Sequence, residues 1–391
     1  SPPRIWAPDS QGALTGSVRS SVSGATIPDA QLPLTPAEIT QHWLSRALQH
    51  AGDGPQPVVT DVAANTIAVG EGFAGELARL KLTYDRPSDD APESMIVKFP
   101  SLHPPTRSLL SRLGVYEREV RFYQELAPEL ALCTPRAYLA AWDEERKRSL
   151  LLLEDLSHLR AGDQLTGCSL EDAELSVIEL ARFHASFWES PRLAELGWAP
   201  AWDQGAEFFQ QTFPLLWRQL RQRTPGDLPG PVSELGEEIG SHIVAIKRRL
   251  ARPPSTLAHG DFRLDNMFFD DSIRRISVID WQGVRVGRGT YDLAYFIATS
   301  LTSDTRRRWQ DTLVSLYHDT LVETGVTGYT VQDCREDYDY ALLDLVSFVT
   351  LVGATFDLEN ERRTQIASAI IGRLADALTE IDAERLLAAL P

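Results

Sequence analysis

Cysteine is scarce: Cys133, Cys168 and Cys334 stand far apart, with no paired spacing, in a chain of 391 residues. A disulfide framework and a cysteine-ligated zinc site are thereby excluded, and a reducing cytoplasm is the expected compartment. Long apolar runs are missing too. No stretch reads as the roughly 20 apolar residues a membrane helix needs, and Ser1-Pro2-Pro3-Arg4-Ile5-Trp6 is not the start of a signal peptide, so no membrane partner is expected. Basic residues are outnumbered, 38 Lys and Arg against 55 Asp and Glu, for a formal net charge of −17. Such a surface repels nucleic acid and mildly favours cationic small molecules. Residues 1–33 are rich in Ser, Pro, Gly and Thr without periodicity and read as a tail or loosely packed arm.

Against those absences stand two motifs, His259-Gly260-Asp261-Phe262-Arg263-Leu264-Asp265-Asn266 and Val278-Ile279-Asp280-Trp281. Asp261 and Asn266 are five apart, the spacing of a kinase catalytic loop. Between the motifs, Met267-Phe268-Phe269 and Ile276-Ser277-Val278-Ile279 read as two strands joined by a polar turn at Asp270-Asp271-Ser272. A hairpin brings its outer ends together, so Asn266 and Asp280 should lie side by side as oxygen ligands for a hard cation such as Mg²⁺. Asp261 is then free to accept the proton of an attacking hydroxyl. Each half alone would pass for an ordinary acidic loop; the pair at this spacing points to phosphoryl transfer.

Upstream, a helix is expected from Thr35-Pro36-Ala37-Glu38, which carries a capping box and a first-turn proline, to about residue 50. Residues 58–69 read as strand. Gly70, Gly72 and Gly75 then form G-x-G-x-x-G, and the alternation of Leu80, Leu82 and Tyr84 predicts that a strand follows rather than a helix. That context suits a loop folding over nucleotide phosphates. Lys98 sits in the apolar strand Met95-Ile96-Val97-Lys98-Phe99, where a lysine is costly unless paired. A helix is expected over residues 106–126, and Glu119, beside its apolar stripe of Val120, Tyr123 and Ala127, is the preferred partner over Glu117. Residues 135–142 and 150–153 supply two more strands, giving a five-stranded antiparallel sheet with one helix.

The ordered set GEGFAG, IVKF, YEREVRFY, LLLLEDL, HGDFRLDN, VIDW and YDLAYF resembles the aminoglycoside phosphotransferase and choline kinase-like family of small-molecule kinases. The resemblance implies an α+β, two-lobed protein kinase-like fold: a nucleotide-binding lobe over residues 34–156 and a larger, mostly helical lobe over 157–391. ATP or GTP would lie between them as phosphoryl donor. Lys98 would hold phosphates and pair with Glu119; Glu154-Asp155-Leu156 would be the hinge that reads the purine through its backbone. Asp261 would be the catalytic base, Asn266 and Asp280 the Mg²⁺ ligands, His259 a brace for the loop and Asp292 its anchor. No arginine precedes Asp261, and no segment ending in Ala-Pro-Glu follows Asp280, so a regulated protein kinase is disfavoured.

The partner expected is a small molecule bearing a hydroxyl, with an aminoglycoside or other antibiotic-like acceptor first, and a choline-, sugar- or sterol-type metabolic kinase or a catalytically silent nucleotide-binding module as alternatives. Trp202, Phe208, Phe209, Phe213 and Trp217 crowd ahead of the catalytic loop, at spacings that build a core more commonly than a pocket. His184 reads as a core histidine. Asp333, Glu336, Asp337, Asp339 and Asp344 on one expected helix could hold a polyamine or form a solvated face.

Overall fold

A computed structural model describes residues 32–51, 57–67, 75–88, 91–130, 132–224, 228–355 and 361–391. The first lobe holds α1 (Gln41–Ala51), β1 (Val59–Ile67), β2 (Gly75–Tyr84), β3 (Ser94–Pro100), α2 (Pro104–Arg112), α3 (Val115–Glu125), β4 (Ala137–Asp143) and β5 (Arg148–Glu154). Its five strands pair antiparallel in the order β1-β2-β3-β5-β4. Side chains alternate across a strand. On β3 that alternation sends Met95, Val97 and Phe99 into a core shared with α1, and leaves Ile96 and Lys98 on the face that α3 covers. Leu32, within the expected tail, belongs to that α1 core.

Two helices depart from expectation. The capping box at Thr35 closes only a short 3₁₀ turn, Pro36–Glu38, and α1 starts at Gln41, where Thr40 accepts from the Trp43 N–H. The helix expected over 106–126 is two, because Gly114 adopts φ 69°, a left-handed conformation that ends α2 and starts α3 on a new axis.

The second lobe comprises β6 (Arg160–Ala161), α4 (Leu170–Phe187), α5 (Ala206–Arg223), α6 (Gly230–Ala251), β7 (Thr256–Ala258), β8 (Met267–Asp270), β9 (Arg275–Val278), β10 (Arg285–Gly287), α7 (Thr290–Ser300), α8 (Ser303–Glu323), α9 (Val331–Thr355), α10 (Glu361–Leu378) and α11 (Ala383–Ala388). Among the described residues α9 is long and apolar enough to cross a membrane by length and composition, contrary to the sequence expectation. Its apolar character has another cause: α9 is the central helix, packed on α5, α6, α7 and α10 and mostly buried. A helix apolar nearly all round is what the middle of a helical lobe requires.

The lobes share one core. Trp281, fully buried, stacks on Phe122 of α3 at 4.0 Å and 7°, meets Phe183 of α4 edge-on at 5.3 Å, and lies 4.5 Å from the His259 ring. Its indole N–H donates to the Val278 carbonyl at 2.9 Å. The residue after Asp280 is therefore the wedge that fixes Asp280 relative to both lobes.

Candidate active site

The expected hairpin forms: β8 pairs antiparallel with β9, Met267 opposite Val278, and the Ile279 N–H donates to the Asn266 carbonyl at 3.0 Å. Asn266 and Asp280 thus flank the same end of the ladder. Asp280 is held at φ 66°, ψ 62°, a conformation uncommon for a non-glycine residue and one that clusters at functional sites.

Asp261 is fixed from two sides. The Asn266 amide nitrogen donates to its Oδ2 at 2.8 Å and to its backbone carbonyl at 2.9 Å. Arg263 Nε donates to its Oδ1 at 3.2 Å, while Arg263 Nη1 reaches Asp265 at 2.9 Å. Burial works against the Arg263 charge, but Asp261 and Asp265 outweigh it and hold the guanidinium firmly protonated. With its N–H groups spent on Asp261, Asn266 has an amide oxygen without a partner among the described residues.

The loop's backbone is tied down by buried polar groups. Asp292, fully buried, accepts from the His259 N–H at 2.6 Å and the Gly260 N–H at 2.8 Å. His184 Nε2 stands 3.2 Å from the same carboxylate, and Tyr317 Oη lies 2.7 Å from its Nδ1. The His259 ring accepts from the Asp261 N–H at Nδ1, at 3.1 Å, and donates from Nε2 to the Ile279 carbonyl, at 3.0 Å, so it works as a strut in its neutral form. Gln164, 100 residues upstream, accepts from the Leu264 N–H at 3.1 Å. Gly260 has φ 81°, and a β-carbon there would lie 2.3 Å from the Gly283 carbonyl oxygen. Only glycine lets the two motifs pack this closely.

Across the cleft, Lys98 Nζ lies 2.8 Å from Glu119 and 2.8 Å from Asp280. Glu117 pairs instead with Arg121, at 2.7 Å. One ammonium thus serves two carboxylates. Burial alone would lower Lys98, yet Asp280 and Glu119 together raise it above its ordinary value. Burial pushes the Glu119 carboxyl up to about 7, Lys98 pulling against it and Asp280 adding to it. Burial also opposes ionisation of Asp280, but Lys98 holds it below the usual carboxylate range.

Gly70 and Gly72 lie outside the described residues. Gly75 begins β2, close against the Phe99 carbonyl of β3. At the hinge position, Glu154 accepts from the Arg136 N–H through its side chain, and Asp155 ties Arg79 at 2.7 Å to Ser94 at 2.7 Å. The backbone N–H of the buried Leu156 makes no hydrogen bond among the described residues.

For Mg²⁺, the donor set fits a hard cation: one free amide oxygen on Asn266 and one partly exposed carboxylate on Asp280. No group of three or more His, Cys, Asp or Glu side chains is gathered for a metal among the described residues. A phosphate-bound Mg²⁺ needs only one or two protein carboxylates or amides, the rest coming from phosphate and water.

Several site residues escape sequence reasoning. His184 is fully buried, the core histidine expected, and its contact with Asp292 is what the reading lacked; Gln164 supports Leu264; Arg263 holds Asp261. Arg263 alone carried a signal, being a cation inside the motif itself.

Of the aromatics that crowd ahead of the catalytic motif, Trp202, Phe213 and Trp217 are core, the reading their spacing favours, with Phe213 and Trp217 fitted against Gly240 and Gly236 of α6, whereas Phe208 is exposed. The acids of α9 are mostly engaged. Asp337 meets Arg249 at 3.0 Å and Arg288 at 3.1 Å; Asp344 meets Lys247 at 2.7 Å and the Trp202 indole at 2.8 Å.

Solved structures share this architecture. Choline kinase from Cryptosporidium parvum Iowa II superposes with a TM-score of 0.54 at 10% identity, covering 83% of this chain and 91% of its own. Ethanolamine kinase from Plasmodium vivax gives 0.52 at 13% identity, covering 85% and 87%. A Ralstonia eutropha JMP134 protein provisionally described as an aminoglycoside phosphotransferase gives 0.53 at 14%, covering 89% and 98%. At such identities the likeness is one of fold, the two-lobed kinase-like architecture. No curated protein sequence matches the chain. The profile that does match spans residues 69–326, well over half the chain, and includes the glycine-rich segment, Lys98, Glu119 and both motifs of the larger lobe. The chain is therefore a member of the ecdysteroid kinase-like family.

Proposed function

We propose that this protein transfers the γ-phosphate of ATP or GTP to a hydroxyl group of a small molecule. The observation that carries the proposal is the convergence of Asp261, Asn266, Asp280 and Lys98, each oriented by a partner within 3.2 Å. Asp261, 19% exposed, accepts the hydroxyl proton as the acceptor oxygen bonds to the γ-phosphorus. The bond from that phosphorus to its bridging oxygen breaks, and nucleoside diphosphate leaves. Lys98 would hold donor phosphates, and Asn266 and Asp280 would hold Mg²⁺, which would supply charge to offset that of the phosphates. Arg263 and Asn266 keep the Asp261 carboxylate aimed, and Leu156 offers its N–H to the purine.

An aminoglycoside acceptor has less support than a generic alcohol, because Asp337 and Asp344 of α9 are already matched by Arg249, Arg288 and Lys247. The test is a coupled nucleotide-consumption assay, ATP and GTP in parallel, against aminoglycosides, nucleoside antibiotics, macrolides, sterols, sugars, sugar acids and amino alcohols. Acceptor-dependent consumption with at least one class is expected. Bound nucleotide with no consumption across the panel would instead favour a silent binding module.

A further inference from the structure

In a chain of net charge −17, two guanidinium groups near Asp261 and Asp280 have no carboxylate partner among the described residues. The Arg285 side chain makes no hydrogen bond or ion pair among the described residues; its guanidinium stands 5.8 Å over the Trp202 ring, and the residue is partly exposed. Trp202 is itself fixed, its indole N–H on Asp344. Arg118 of α3 is 6% exposed and donates only to neutral carbonyls, Gln282 at 2.8 Å and Leu113 at 3.0 Å, while its Nε is buried with no partner. Its contact with Gln282 sets Arg118 beside the segment that leads into Arg285, and burial, then the charge of Arg285, pushes Arg118 down to about 9. Glu117 and Asp344 are the carboxylates that act on them through space, but Glu117 is bonded to Arg121 and Asp344 to Lys247.

Location connects this pair to the chemistry. Arg285 pairs with Ala258 in the β7–β10 ladder, and Ala258 leads directly into His259. Gly283, two residues before Arg285, packs on Gly260. Tyr291, buried, is within electrostatic reach of both Asp261 and Arg285. A buried cation is costly unless a counter-charge answers it, and two neighbouring cations without one are more costly still. Arginine's planar fork suits a carboxylate or phosphate above other ligands.

We propose that Arg285, backed by Arg118, binds a carboxylate or phosphate group of the acceptor, so that the molecule phosphorylated at Asp261 is an anionic alcohol such as a sugar acid or sugar phosphate. This inference rests on the phosphotransferase reading. It runs against the overall negative charge, which favours cations over the surface at large but not at this position.

Two arms test it on the full chain. In the first, inorganic phosphate is titrated calorimetrically with a non-hydrolysable ATP analogue present at saturation. Binding that persists under the analogue and weakens about 10- to 100-fold in Arg285→Gln is expected, the loss of one charge-assisted contact. Absence of that binding, or binding indifferent to Arg285→Gln, overturns the proposal. In the second arm, sugars are compared with the matched sugar acids and sugar phosphates in the coupled assay. The anionic members should lead in kcat/KM by about tenfold or more, and Arg285→Gln should raise their KM with nucleotide affinity unchanged. Arg285→Lys, which keeps the charge, should recover part of the loss. Preference for the neutral members, or phosphate binding without any effect on acceptor KM, overturns the acceptor assignment. Failure of the phosphotransferase reading would look different: no acceptor of any charge consumes nucleotide.

Discussion

The two sides of the cleft are built differently. On the larger lobe, His259, Gly260 and Leu264 have their N–H groups satisfied by Asp292 and Gln164, and the Asp261 N–H by His259, all before any ligand arrives. On the smaller lobe, the Lys98 ammonium that reaches across is shared between Glu119 and Asp280. The Asp261 loop is preorganised, while Lys98, Glu119 and Asp280 form a charge triad between the lobes with one more carboxylate than ammonium. Preorganised groups lower a barrier without reorganisation cost, and an imbalanced triad is a place where a ligand's charge changes the balance.

The contrast can be broken by substitution. Gly260→Ala should have the largest effect, since the β-carbon meets backbone at Gly283 and the residue must keep φ 81°. Loss of about 1000-fold in turnover or a fall of several kcal/mol in unfolding free energy is expected, read by melting and by the coupled assay; a wild-type melting temperature with normal turnover would remove the close-packing account. Lys98→Met leaves Glu119 and Asp280 facing each other and should weaken nucleotide binding by about 10- to 100-fold, measured by calorimetry. Arg263→Lys cannot keep both forks to Asp261 and Asp265, so kcat should fall about tenfold at nearly constant KM. A KM effect alone would place Arg263 in binding instead.

The smallest effect concerns pH. The Glu119 carboxyl is raised from the usual range to about 7 in the folded protein. The folded state therefore binds this proton more readily than the unfolded chain, and the group's contribution to stability, full below about pH 4.5, is lost as pH rises through about 7. Chemical denaturation of the ligand-free protein should show that downward slope between pH 5 and 8, flattened in Glu119→Gln.

The same contrast explains what could be read in the sequence. Asp261, Asn266, the hairpin and Asp280 occupy one short stretch whose geometry follows from local spacing, so their proximity was legible. The Lys98–Glu119 pair was legible from strand alternation and helical spacing together. What was hidden depends on distant partners: Gln164 is 100 residues from Leu264, His184 is 108 from Asp292, and Arg118 is 164 from Gln282. Nothing local marks such residues. The acids of α9 were ambiguous for the same reason, because Arg249, Arg288 and Lys247, which neutralise them, lie on other elements. Helix limits were missed where backbone conformation overrode composition, at Gly114 and before Gln41.

The central claim is that Asp261 removes the proton of an acceptor hydroxyl during phosphoryl transfer. Its most direct test is single-turnover transfer of γ-labelled phosphate by Asp261→Asn, with donor occupancy measured on the same sample. The amide can still bond Asn266 but cannot take a proton, so transfer should fall by about 10²- to 10⁴-fold while ATP binding stays within about twofold of wild type. Transfer at the wild-type rate with full donor occupancy would contradict the claim.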